Sequence, residues 1–239
     1  MSTGLAEILR RPWLIGSDPV AWPGTTCGYP TVIYTGSVKI FAQFVAAATD
    51  PRHFPVATMP EVAFLGRSNV GKSSLINSLV GTKIARTSST PGRTRGINFF
   101  AIRWPGKPKP EILFSDLPGY GYAKVPRELS AQWPNFIEPY LQKRPTLVLC
   151  VVLVDSNIAP QPTDQQLCDW LREYGREYVV VATKADRLSG NQLRQSLQSL
   201  AKILNADRIL TYSARSGLGR NELWKAIRVA AGALLPAES

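Results

Sequence analysis

The stretch that decides the fold is Gly66-Arg67-Ser68-Asn69-Val70-Gly71-Lys72-Ser73. It fits the pattern G-x-x-x-x-G-K-[ST], follows the apolar run Val62 to Leu65, and opens a helical pattern that runs from Lys72 to Val80. Glycines at both ends let the backbone wrap closely, so that successive N–H groups and a helix N-terminus can face an anionic ligand. In such a loop Lys72 reaches the β- and γ-phosphates of a nucleotide and the Ser73 hydroxyl ligates Mg²⁺. Arg67, Ser68, Asn69, Val70 and Ser74 complete the expected phosphate-contacting set.

Working outward from Glu61, short apolar runs alternate with amphipathic stretches, the signature of a parallel sheet covered by helices. Strands are expected at Val62 to Leu65, Ile97 to Arg103, Ile112 to Phe114, Thr146 to Val154, Tyr178 to Ala182 and Arg208 to Tyr212. Helices are expected at Lys72 to Val80, Glu128 to Gln142, Thr163 to Tyr174, Asn191 to Leu204 and Arg220 to Leu234. The strands near Ile97 and Ile112 follow one another without a helix, which predicts one antiparallel hairpin on an otherwise parallel sheet. The expected fold is three-layer α/β, a Ras-like P-loop domain with a mostly parallel six-stranded sheet and helices on both faces. It spans residues 61–235, after an irregular extension (1–37) and a lead-in segment (38–60) and before a short tail (236–239).

Three further elements follow in order. Asp116-Leu117-Pro118-Gly119 ends a strand, where an aspartate can hold Mg²⁺ through a water and Gly119 can bring its N–H to a γ-phosphate. Between it and the first loop lies Thr90-Pro91-Gly92-Arg93-Thr94-Arg95-Gly96, in which Thr94 is the expected second protein ligand to Mg²⁺. Thr183-Lys184-Ala185-Asp186 follows another strand. A carboxylate there accepts from both N1–H and N2–H₂ of guanine, which adenine cannot supply, so Asp186 selects guanine. Lys184 lies along the base, and Tyr212-Ser213-Ala214 after the last strand supplies backbone donors near the guanine oxygen. The set implies binding and hydrolysis of GTP with Mg²⁺, with Lys72, Thr94, Gly119 and Asn69 nearest the chemistry.

Composition narrows the setting. Hydrophobic residues at 44% and charged residues at 19% are ordinary for a globular chain with a packed core. The longest apolar run, Leu147 to Val154, has eight residues, against roughly 20 for a bilayer span. Cys27, Cys150 and Cys168 show no metal-ligand spacing, and with no export signal a reducing cytoplasm is expected. The net charge of +11 points to a polyanionic partner. Glu7, Asp18, Arg10 and Arg11 cancel within residues 1–37, so the excess belongs to the body.

GRSNVGKSSLIN (66–77), ARTSSTPGRTRGINFF (85–100), DLPGYGYAKVP (116–126) and TKAD (183–186) together resemble the EngB family of ribosome-biogenesis GTPases, within the TrmE–Era–EngA–EngB–septin-like group. The resemblance runs from about Val38 to Leu235. Thr183 stands where most GTPases carry asparagine, a departure normal for this family, and it loses one amide contact. The resemblance implies an assembly factor that binds precursors of the large ribosomal subunit, both rRNA and ribosomal proteins; the chain is expected to be a monomer that does not associate with membrane. Arg67, Arg86, Arg93, Arg95, Lys124, Arg127, Lys143 and Arg144 are then candidate RNA contacts. The alternative is a GTPase with a scaffold role in septation or at membranes. Residues Val38 to Phe44 look like the family's usual start, so initiation is expected at Val38, with 1–37 a mis-assigned extension. Tyr120 occupies the position where many GTPases carry a water-orienting glutamine, which implies slow intrinsic hydrolysis. Relatives sharing Asn69 imply a bound K⁺ acting in place of an arginine finger.

Overall fold

A computed structural model describes residues 40–85, 96–120 and 127–232, all within the compact unit Val38–Ser239. The extension 1–37, the expected start at Val38, the tail 236–239, Arg86, Gly92, Arg93, Thr94, Arg95, Tyr122, Lys124 and the side chain of Arg127 lie outside the described residues.

The chain runs β1 (Phe41–Ala48), β2 (Glu61–Gly66), α1 (Lys72–Val80), β3 (Ile97–Arg103), β4 (Ile112–Asp116), α2 (Arg127–Lys143), β5 (Leu147–Asp155), α3 (Pro162–Glu173), β6 (Tyr178–Thr183), α4 (Gly190–Leu204), β7 (Ile209–Thr211) and α5 (Arg220–Gly232). One sheet in the order β1-β3-β4-β2-β5-β6-β7 joins all the strands. β3 pairs antiparallel with β4, as the hairpin predicts, and also with β1, and the remaining pairs are parallel. The sheet therefore has seven strands rather than six. The additional one, β1, lies in the segment read as lead-in. It is an edge strand whose Phe41, Phe44 and Val45 are exposed, so its sequence lacks the in–out alternation that marks a half-buried strand.

The central strands are buried on both faces, which is why they read as continuous apolar runs. Their alternate residues face opposite layers. On one side Phe64 meets Phe114 at 4.9 Å, and Phe114 stacks on Trp224 of α5 at 5.6 Å. The Trp224 indole N–H donates to the Leu79 carbonyl at 3.0 Å, joining α5 to α1. On the other side Ala63, Leu65, Cys150 and Val152 pack with Ile137 and Tyr140 of α2, Leu171 of α3 and Leu200 of α4.

At the N-terminal end of β2 a fully buried carboxylate, Glu61, accepts hydrogen bonds from the Tyr140 hydroxyl at 2.9 Å, Arg144 Nε at 2.7 Å and the Thr146 hydroxyl at 2.6 Å. Arg144 also donates to the Pro55 carbonyl at 2.5 Å. This corrects the reading of Arg144 as an RNA contact, because its side chain is 11% exposed and its guanidinium is engaged inside the fold. Lys143, its neighbour, is exposed.

Candidate functional site

Parallel strands carry their C-terminal ends to one edge of a sheet, and at that edge the loops can gather around a ligand. Gly66, Asp116, Asp155, Thr183 and Thr211 end five strands there, and Ile97 begins β3 beside Asp116. The loop Gly66 to Gly71 turns tightly against the sheet. A Cβ on Gly66 would sit 2.8 Å from Val70 Cγ1 and 3.0 Å from the Leu153 carbonyl oxygen, so only glycine fits. Asn69 at φ 65° and Gly71 at φ 102° adopt the left-handed conformation that turns successive amides toward one concavity. Gly71 caps α1, whose first turn closes with Leu75 N–H donating to the Gly71 carbonyl at 2.8 Å.

Lys72 is buried and forms an ion pair with the equally buried Asp116. Leu117 and Pro118 are buried behind it. Gly119 lies against the phosphate loop so closely that a Cβ would stand 2.9 Å from the Ser68 hydroxyl oxygen. Ser73 is half-buried and Ser74 exposed. Gly96 packs at the start of β3, where a Cβ would lie 2.6 Å from the Ala48 carbonyl oxygen of β1.

Thr183 joins three pieces. Its hydroxyl lies 2.7 Å from the Val70 carbonyl and 3.0 Å from that of Val154, so one proton serves the phosphate loop and β5 together. Sequence reasoning saw a lost amide here, whereas the threonine makes a buried tie of its own. Lys184, at φ 57°, reaches back to the Asn69 carbonyl at 2.9 Å and to Asp155 at 2.6 Å. Asp155 is a site residue that the motifs miss; its signal is a carboxylate ending the longest apolar run. Burial works against its charge, yet hydrogen bonds from Lys184 and Asn157 hold the carboxyl below the usual range. Asp186 is exposed, and the Ser213 hydroxyl donates to it at 2.6 Å. That bond is the main reason its carboxyl is held low, and the Arg215 and Ser216 amides in turn point at the Ser213 oxygen at 3.2 Å. Ala185 is buried, with its N–H on the Tyr212 carbonyl at 3.2 Å, and Ala214 is exposed beside them. Tyr212 itself is buried with its hydroxyl on Ser78 at 3.1 Å, so its ring supports the loop from beneath.

A family model described as a 50S ribosome-binding GTPase matches residues 61–184. The probable GTP-binding protein EngB of Koribacter versatilis is 58% identical over 200 residues, covering 84% of this chain and 98% of that protein. This chain belongs to the EngB family of GTP-binding proteins. A second EngB-family protein, from Acidobacterium capsulatum, is also 58% identical, over 82% of this chain and 94% of its own. A crystal structure of a probable GTP-binding protein EngB superposes with a TM-score of 0.60 at 25% identity, covering 72% of this chain and 99% of that one. Era from Aquifex aeolicus shares the fold, with a TM-score of 0.62 at 24% identity over 76% of this chain and 58% of its own. Asn157 brackets the Lys184–Asp155 pair, donating its N–H to Asp155 at 3.0 Å and its side-chain amide to the Lys184 carbonyl at 3.3 Å.

Proposed function

We propose that this chain binds GTP with Mg²⁺, hydrolyses it slowly to GDP and phosphate, and works in the cytoplasm as a monomeric, nucleotide-gated assembly factor for the large ribosomal subunit. The observation that carries the reading is the meeting of Lys72, Asp116 and Gly119 at one strand edge with the Asp186–Ser213 pair. Lys72 binds the β- and γ-phosphate oxygens while the amides of Asn69 to Ser73 enclose the rest of the anion. Ser73 and Thr94 would hold Mg²⁺ directly, and Asp116 would hold it through a water. Bound Mg²⁺ neutralises phosphate charge at the transferring group. Asp186 accepts from the guanine edge, and Ala214 offers its N–H to the guanine oxygen.

Tyr120 has no amide with which to orient a water, which favours slow turnover without a partner. Asn69 would supply an oxygen to a bound K⁺, whose charge would take the place of an arginine. Gly119 and Thr94 sense the γ-phosphate, and the surface they order grips ribosomal precursor RNA or protein until hydrolysis releases it. The net charge of +11 favours such a partner. Titration calorimetry with GDP and GTP, followed by cosedimentation with large ribosomal subunits, tests both levels. Pelleting with a non-hydrolysable GTP analogue but not with GDP is the expected result. Equal pelleting in both states would remove the switch, and absence of heat with either nucleotide would remove the GTPase.

A further inference from the structure

We infer that the Tyr120 hydroxyl and the Asp164 carboxylate form a clasp that holds Gly119 ready beside the phosphate loop, which makes both of them positioning residues for recognition of the third phosphate. The inference deepens the GTPase reading and rests on it. Tyr120 directly follows Gly119, and its hydroxyl donates to Asp164 Oδ1 at 3.1 Å. Asp164 is 4% exposed, in the first turn of α3, and its second oxygen accepts the Gln161 N–H at 2.9 Å in the box that caps that helix. The acceptor is therefore fixed by a helix, not by a loop. Burial and then the nearby Asp164 charge push the phenol far above its ordinary range, so the hydroxyl remains a donor at every physiological pH.

The backbone is fastened at the same residue. Ser68 N–H donates to the Tyr120 carbonyl at 3.2 Å, and Tyr120 N–H donates to the Gly66 carbonyl at 3.4 Å, so residue 120 pairs with Arg67 as a short parallel bridge. Gly119 is thus held between buried Pro118 and a residue tied by its main chain to the phosphate loop and by its side chain to α3. A segment ordered in advance need not be ordered when ligand binds, so more of the contact it makes appears as affinity. GDP has no γ-phosphate to meet Gly119, so the clasp strengthens GTP-like ligands alone.

The test uses the full chain and two fluorescent nucleotides, N-methylanthraniloyl GDP and the corresponding non-hydrolysable GTP analogue. Tyr120→Phe removes one oxygen and leaves the α3 cap intact. We expect it to weaken the GTP analogue about 5- to 10-fold, in the range of one hydrogen bond, and GDP less than about 2-fold. Asp164→Ala lowers affinity for the analogue similarly and adds little in the Tyr120→Phe background, because both changes open the same bond. Equal weakening of both nucleotides, no weakening, or independent addition of the two substitutions would overturn the clasp. If Asp164→Ala fails to fold, the ratio of the two affinities in Tyr120→Phe decides alone. A wild-type chain that binds neither nucleotide would remove the GTPase reading and the clasp with it.

Discussion

At Asp186 the exposed carboxylate is aimed by one serine hydroxyl, and its chemistry is open to a direct exchange of atoms. Asp186→Asn replaces an acceptor by a donor, so guanine nucleotides are expected to bind about 100-fold more weakly, while xanthine nucleotides, whose 2-carbonyl accepts from the new amide, gain. Competition of GDP and XDP for the same site measures the exchange. Ser213→Ala removes the main influence holding that carboxyl low. The acceptor must be ionised, so wild-type binding persists as pH falls until it reaches the depressed pKa; without Ser213 the acid limb of GDP binding moves to higher pH. Titrations of GDP between acid and neutral pH read the shift. Asp186 and Lys72 are legible in sequence because their chemistry depends on short fixed spacings. Asp155 and Asp164 are not, because each acts through a partner more than 25 positions away, Lys184 for one and Tyr120 for the other.

Among the elements, strand and helix positions follow the apolar periods closely, with α1 and β3 at the expected limits. The sequence misses β1, whose run of alanines and half-exposed aromatics fits an edge rather than a core strand. Elements also depend on single backbone positions. Gly219, at φ 77° just before α5, would place a Cβ 1.8 Å from the Thr211 carbonyl oxygen, so Gly219→Ala should displace α5 from β7 and lower the melting temperature by several degrees. Removing Arg144 leaves the Glu61 charge buried without its cation, so Arg144→Ala is expected to destabilise the fold by about 3–5 kcal/mol. Urea unfolding followed by circular dichroism gives that difference. GDP affinity of the folded fraction stays unchanged, since Arg144 sits at the end of the sheet away from Lys72.

For the whole molecule, charge sets the terms of association. With 28 basic and 17 acidic residues, contact with RNA displaces counterions, so affinity for large ribosomal subunits should fall steeply as KCl rises, roughly linearly in log–log form. Nucleotide affinity should change far less. The family was readable from motifs, whereas the edge strand β1 and the binding face were not, because β1 lacks the alternation of a half-buried strand, lysines and arginines carry no spacing rule, and one of the candidates, Arg144, turned out to be an internal fastener. That fastener also has a kinetic meaning. Glu61, Tyr140, Arg144 and Thr146 knot β2, α2 and β5 at the end of the sheet remote from the loops. In heavy water, backbone deuterons should reach the knot only when the entire domain opens, so exchange at Glu61 and Tyr140 reads the free energy of global unfolding directly.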